Sequence, residues 1–181
     1  MIHQNDAGRL LRLSLLFVSI MFFSKSNAAE LKTNDVAPEF KLSTHDGKDF
    51  DLNSQKGKWT VLYFYPKAET PGCTKQACAF RDNIKKITDQ GAELYGISTD
   101  TVKAQAAFHK NHNLNFTLLA DHDAKVTNLY GSKMPVLKMS KRWTFIIDPE
   151  LKIRVIEKDV DPALDAQKVA DQIVKLKAAK N

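Results

Sequence analysis

Cysteine is scarce in this chain: there are two, Cys73 and Cys78, separated by four residues. No CxxC is present, which argues against the dithiol motif of common disulfide exchangers. No compact zinc spacing is present either, so a metal site could draw only on the two cysteines with His109 or His112, and neither metal nor cofactor is indicated. No apolar run reaches the ~20 residues a helix needs to cross a bilayer; the stretch Leu13 to Phe23 has 11, broken by Ser14 and Ser19. A basic stripe is also missing. Of the net charge of +6, residues 1–28 carry +2, leaving +4, with lysines and carboxylates interspersed. That mild balance speaks against a nucleic-acid partner. Internal repeats and linker-like segments are absent, and 43% hydrophobic with 27% charged residues suits one ordinary domain.

What is present begins with a leader-like segment. Arg9 and Arg12 precede the apolar run, and Ser26-Asn27-Ala28 offers small residues where a signal peptidase reads. Residues 1–28 are therefore expected to be a secretory signal cleaved after Ala28, leaving a 153-residue domain, 29–181, in the periplasm. No stable membrane association is expected after cleavage; an uncleaved anchor is the alternative. Two cysteines suit an oxidising compartment.

The richest stretch runs from Trp59 to Asp82. Val61 to Tyr65 is aliphatic or aromatic without a charge, the pattern of a strand buried on both faces. Pro66 stops it. Thr70-Pro71 is a helix start, a hydroxyl at N-cap and proline at the first helical position. Cys73 then falls in the first turn, where unpaired N–H groups and the helix dipole favour an anion, so its thiol should ionise more easily than a free one. Cys78 lies five residues on in the same helix. That spacing gives a rise of ~7.5 Å and a Cα separation of ~8.7 Å on an ideal helix, beyond the ~7 Å that a disulfide tolerates. Either the segment is not helical, or the sulfurs join only after local unwinding. A plain structural bridge remains an alternative, but so short a loop restrains the unfolded chain little.

The flanking segments alternate. Residues 37–42 and 50–52 around His45-Asp46-Gly47-Lys48 suggest a small hairpin ahead of the main sheet, with His45 solvated in the turn. Phe80, Ile84 and Ile87 form the inner face of a helix ending at Gly91. Strands are expected at 92–98 and 115–119, with helices near 99–113 and 121–130, the last with Val126 and Leu129 inward. Residues 132–141 are irregular; their apolar side chains at Met134, Val136, Leu137 and Met139 fit either a substrate-side cover or a core plug. Residues 144–147 and 153–156 read as a hairpin, with Leu151 in its turn. A last helix starts at Asp161-Pro162, with Ala166, Val169, Ala170, Ile173 and Val174 inward. Strands alternating with helices imply a parallel-rich sheet covered on both faces.

The run Pro66-Lys67-Ala68-Glu69-Thr70-Pro71-Gly72-Cys73 resembles the PxxxTxxC signature of the peroxiredoxins. With Cys78 five residues later, it is similar to the bacterioferritin comigratory protein or peroxiredoxin Q subfamily. Phe80-Arg81-Asp82, Gly96 to Asp100, Phe116 to Asp121, Tyr130-Gly131 and Arg142 to Phe145 match in order, so the resemblance covers nearly everything after residue 35. It implies an α/β, thioredoxin-like fold, a mixed sheet flanked by helices with an N-terminal β-hairpin. It also implies a thiol peroxidase for hydrogen peroxide and organic hydroperoxides, working as a monomer with a thioredoxin-like dithiol.

In that family pattern Cys73 is the peroxidatic nucleophile and Cys78 the resolving thiol. Thr70 orients the peroxide, Arg142 lowers the thiol pKa and polarises the O–O bond, and Pro66 shields the sulfur. Gly72 and Cys73 N–H groups add donors. Each has a plainer role available: Thr70 as a cap, Pro66 as a strand end, Arg142 as a surface cation. Arg81 is expected to pair with Asp82, Asp121 or Asp123. Trp143 stands where the family has a small polar residue, and is expected to alter pocket shape. The rival activity is an exported thiol–disulfide oxidoreductase or relay acting on proteins; a second rival is a binding protein with a structural disulfide.

Overall fold

The structure, a computed structural model, describes residues 30–179. The expected leader and its cleavage point lie outside the described residues. The fold is organised by β3 (Trp59–Phe64), which is buried at every position. Such a strand needs a partner on each edge and a layer over each face. β4 (Ala92–Ser98) supplies one edge in parallel, with Val61 opposite Leu94. β6 (Trp143–Ile147) supplies the other, antiparallel, with Val61 opposite Ile146. The pleat sends Trp59, Val61 and Tyr63 to one layer and Leu62 and Phe64 to the other. Burying each of Val61, Leu62 and Phe64 contributes about 1.5–3 kcal/mol.

The first layer is helical. α1 (Pro71–Thr88) offers Ala77, Phe80 and Ile87, α4 (Asp165–Ala178) offers Ala166, Val169 and Ile173, and α2 (Val102–Asn111) adds Phe108. The second layer is thinner: Phe40, Phe50 and Leu52, with Val126 of α3 (Lys125–Leu129) and Tyr130. With β1 (Lys41–Thr44), β2 (Asp49–Asp51), β5 (Thr117–Ala120) and β7 (Ile153–Glu157), the sheet has the order β2-β1-β5-β4-β3-β6-β7. Gly96 matters to this sheet, because a Cβ there would lie 2.6 Å from the Tyr63 ring. The missing side chain lets that ring lie across β4.

Several expectations need correction. The N-terminal hairpin forms as expected, Leu42 of β1 opposite Phe50 of β2, but it does not stand apart from the sheet: β1 also pairs antiparallel with β5, Ser43 opposite Ala120, and extends it. His45 is half-buried and stacks on His109, with ring centroids 3.8 Å apart. Burial lowers the pKa of both rings. The helix expected over 121–130 starts only at Lys125. Ala124 is left-handed at φ 57°, and the Asp121 carboxylate takes the N–H groups of Val126 and Thr127, which ties the preceding turn off. Leu129 then faces outward, 39% exposed. The last helix likewise begins late, at Asp165, after a turn in which the Asp161 carboxylate takes the Ala163 N–H at 2.7 Å; Val174 is 48% exposed. The core-plug expectation for residues 132–141 fails as well, with Val136 93% exposed. That loop is held by buried Ser132 and Ser140 and by Thr99, whose hydroxyl donates to the Lys138 carbonyl at 2.7 Å. Leu151, in the turn between β6 and β7, takes a left-handed conformation at φ 59°, while its side chain joins the second core layer.

Candidate active site

Residues 65–73 carry the chain from the C-terminal end of β3 into α1. The last ladder bond, Tyr65 N–H to the Ile97 carbonyl at 3.0 Å, leaves the loop at the strand ends. Asp100 then anchors it: its carboxylate accepts from the Ala68 N–H at 2.8 Å and from the Ser98 hydroxyl at 2.7 Å. Gln105 braces Ser98 and the Leu119 carbonyl through its amide nitrogen, and receives the Tyr65 hydroxyl on its oxygen. Every member of this buried network has a partner, so it rigidifies the loop. Glu69, at φ 62°, makes the reversal into the helix.

Thr70 is the N-cap and Pro71 the first helical residue, as the motif predicts. The cap differs in one respect. The Thr70 hydroxyl donates to the Lys67 carbonyl at 2.9 Å and makes no bond to the helix N–H groups. Its own carbonyl takes the Thr74 N–H at 2.8 Å. The N–H groups of Gly72 and Cys73, in the first turn of α1, find no acceptor among the described residues. Pro66 is half-buried at the head of this loop.

Cys73 is 1% exposed, and Arg142, 69 residues away, reaches it: Nη2 lies 3.4 Å from Sγ. A Cβ at Gly72 would sit 3.2 Å from that same nitrogen, so glycine admits the guanidinium against the helix end. The cation and the helix N-terminus both present positive charge to one sulfur. Cys78 is half-buried five residues along the same unbroken helix, and both thiols are free. The wound geometry therefore keeps the ~8.7 Å Cα separation of an ideal helix.

Three further residues join the site, and motif reasoning missed them. Arg142 Nη1 donates to Gln76 Oε1 at 2.5 Å. Gln76 Nε2 donates to Asp165 Oδ2 at 2.6 Å, and the Thr144 hydroxyl donates to the same oxygen at 2.9 Å. Burial pushes the Asp165 carboxyl above its ordinary value, and the bonds from Gln76 and Thr144 pull it back in part. A signal existed: Gln76 follows Cys73 by three residues and so shares its helix face, and Asp165 falls on the inward stripe of α4. Their pairing spans 89 residues and needed the fold.

Other candidates lie elsewhere. Arg81 bonds Asp82 and the His112 carbonyl, both at 2.8 Å. His112 pairs with Glu69 at 2.8 Å, and His109 is committed to His45. Trp143 does not shape the pocket, because strand alternation turns it toward Phe145 and the opposite layer, under Lys141 and Lys158.

A buried thiol at the start of the helix that follows a central strand, with a guanidinium on it, defines a thiol-dependent redox protein. The chain belongs to the AhpC/TSA family, whose model matches residues 33–156. It is 42% identical over 126 residues to a putative peroxiredoxin bcp of Coxiella burnetii, covering 66% of this chain and 83% of that one. It is 40% identical over 144 residues to a chloroplastic peroxiredoxin Q of Gentiana triflora, covering 75% of this chain and 66% of that one. Among solved structures, peroxidoxin BcpB of Mycobacterium tuberculosis superimposes with a TM-score of 0.75 at 34% identity, covering 81% of this chain and 98% of that one. The fold is thus the thioredoxin-like fold of the bacterioferritin comigratory protein and peroxiredoxin Q group, and this kinship supports thiol-dependent peroxidase activity.

Proposed function

We propose that the chain reduces hydroperoxides through a Cys73–Cys78 redox cycle. Cys73 thiolate attacks one oxygen of ROOH. An S–O bond forms as the O–O bond breaks, leaving Cys73 as a sulfenic acid. The departing RO⁻ takes a proton and leaves as an alcohol, or as water when the substrate is hydrogen peroxide. Arg142 stabilises the anionic sulfur and the charge growing on the leaving oxygen, the Gly72 and Cys73 N–H groups add donors, and Thr70 orients the peroxide. Pro66 limits water at the sulfur. The observation that carries this reading is the 3.4 Å contact between the Arg142 guanidinium and a thiol at a helix start whose N–H groups are unpartnered among the described residues.

The second half of the cycle needs motion. Cys78 thiolate attacks the Cys73 sulfur, forming S–S and expelling hydroxide, which leaves as water after taking a proton. The ~7 Å Cα limit of a disulfide requires α1 to unwind first. A thioredoxin-like dithiol then reopens the bond by two exchange steps and becomes a disulfide itself. At 1% exposure, the Cys73 sulfur admits a small peroxide more readily than a protein, which weighs against the protein-directed relay as the primary activity. Both sulfurs sit in one helix, so a monomer suffices. The leader-like residues 1–28 support export to the periplasm, where an exported thioredoxin-like donor would serve.

The test is stopped-flow peroxide reaction of the reduced protein. Cys73→Ser is expected to abolish peroxide consumption. Cys78→Ser is expected to complete one turnover and then fail to recycle with a disulfide reductase. Equal multiple-turnover activity in both variants would refute the assignment.

A further inference from the structure

Asp165 is a buried carboxylate with no part in the reaction above. It lies at the first turn of α4, 2% exposed, and its Oδ2 collects the Gln76 amide nitrogen and the Thr144 hydroxyl. Gln76 is fully buried between that carboxylate and Arg142. A primary amide has one donor end and one acceptor end. With its nitrogen captured by a carboxylate, the Gln76 oxygen must face Arg142. Without that capture the amide can turn and set NH₂ against the guanidinium, donor against donor.

Resting on the function proposed above, we propose that Asp165 is a positioning residue. It fixes the Gln76 amide so that Arg142 is held on Cys73, and it ties the turn of α1 between the two thiols to α4. Gln76 lies between Cys73 and Cys78, so the unwinding that joins the sulfurs must break its bonds to both Arg142 and Asp165. One carboxylate thereby favours the first step and restrains the second.

The two steps can be timed separately: sulfur oxidation in a Cys78→Ser background, disulfide formation with both thiols present. Asp165→Ala should slow oxidation about tenfold, short of the ~100-fold of a gross misplacement. It should speed disulfide formation about fivefold, the worth of one net hydrogen bond. Asp165→Asn keeps an acceptor oxygen and should hold both rates within about twofold of the parent. Ile173→Val, which loosens α4 packing away from the relay, should leave both rates unchanged. Gln76→Leu cuts the relay from the α1 side, serves where Asp165→Ala does not fold, and should reproduce the opposed pair of changes. Normal oxidation in the cut variants would overturn the proposal. So would an Asn variant as impaired as Ala, or an Ile173→Val variant that mimics them. Failure of the unmutated protein to form a peroxide-driven disulfide would instead overturn the function proposed above, and this inference with it.

Discussion

Cys73 and Cys78 share one helix and little else. Around Cys73 the sulfur is buried, a guanidinium touches it, and the next turn is tied through Gln76 to Asp165 on another element. Cys78 is half-buried, and no hydrogen bond reaches its sulfur among the described residues. The contrast separates two requirements of the proposed cycle. The attacking sulfur needs fixed charges that stabilise an anion without reorganising. The resolving sulfur needs freedom to travel, and a side chain with few commitments costs little to displace.

Four measurements would break or sharpen that contrast. The largest effect should follow Arg142→Met, which removes the cation from the Cys73 side only. Oxidation by peroxide should slow about 100- to 1000-fold, as for loss of one preorganised donor, while disulfide formation from the sulfenic acid persists. Rapid-mixing kinetics on both steps reads this directly. Next is Lys75→Gly, at an exposed position between the thiols. Glycine weakens a helix interior by about 1 kcal/mol relative to a good helix former. Disulfide formation should therefore quicken about fivefold, with the initial oxidation nearly unchanged; equal slowing of both steps would erase the distinction drawn here.

Gly72→Ala should be milder. Its new Cβ presses on Arg142 Nη2 at 3.2 Å, and a flexible guanidinium can yield, so a loss of about threefold in oxidation rate is expected. The smallest effect is on stability against pH. The folded pKa of Asp165 is raised above its ordinary value of 3.8 by burial. Its contribution is thus fully present below that value and is lost as pH rises through the raised folded pKa. Chemical denaturation across that window should show the decline in the parent and not in Asp165→Asn.

Much of this was legible in the residues. Val61 to Phe64 announced a buried strand, and Thr70-Pro71 a helix start that placed Cys73 in the first turn. Those signals are local, set by backbone preference and by the period of apolar side chains. Arg142 became legible only through family resemblance, because nothing near it in sequence points at a sulfur. Gln76 and Asp165 escaped because a polar residue on an inward stripe gains meaning only when its partner is known. The late starts of α3 and α4 escaped for a different reason. At Asp121 and Asp161 the carboxylates close turns that compete with helix, and propensity alone does not decide that competition.

The loop from Pro66 to Thr70 hangs from Asp100 at the end of β4, and α1 takes no part in that attachment. In the proposed cycle the unwinding of α1 would leave the Asp100 attachment of Ala68 untouched. Ordering the opening turn is the expensive event in making any helix, and here the loop that leads into that turn is fixed independently of α1. On the proposed cycle, α1 should therefore rewind quickly once the disulfide is reduced, because the loop that feeds it is already ordered.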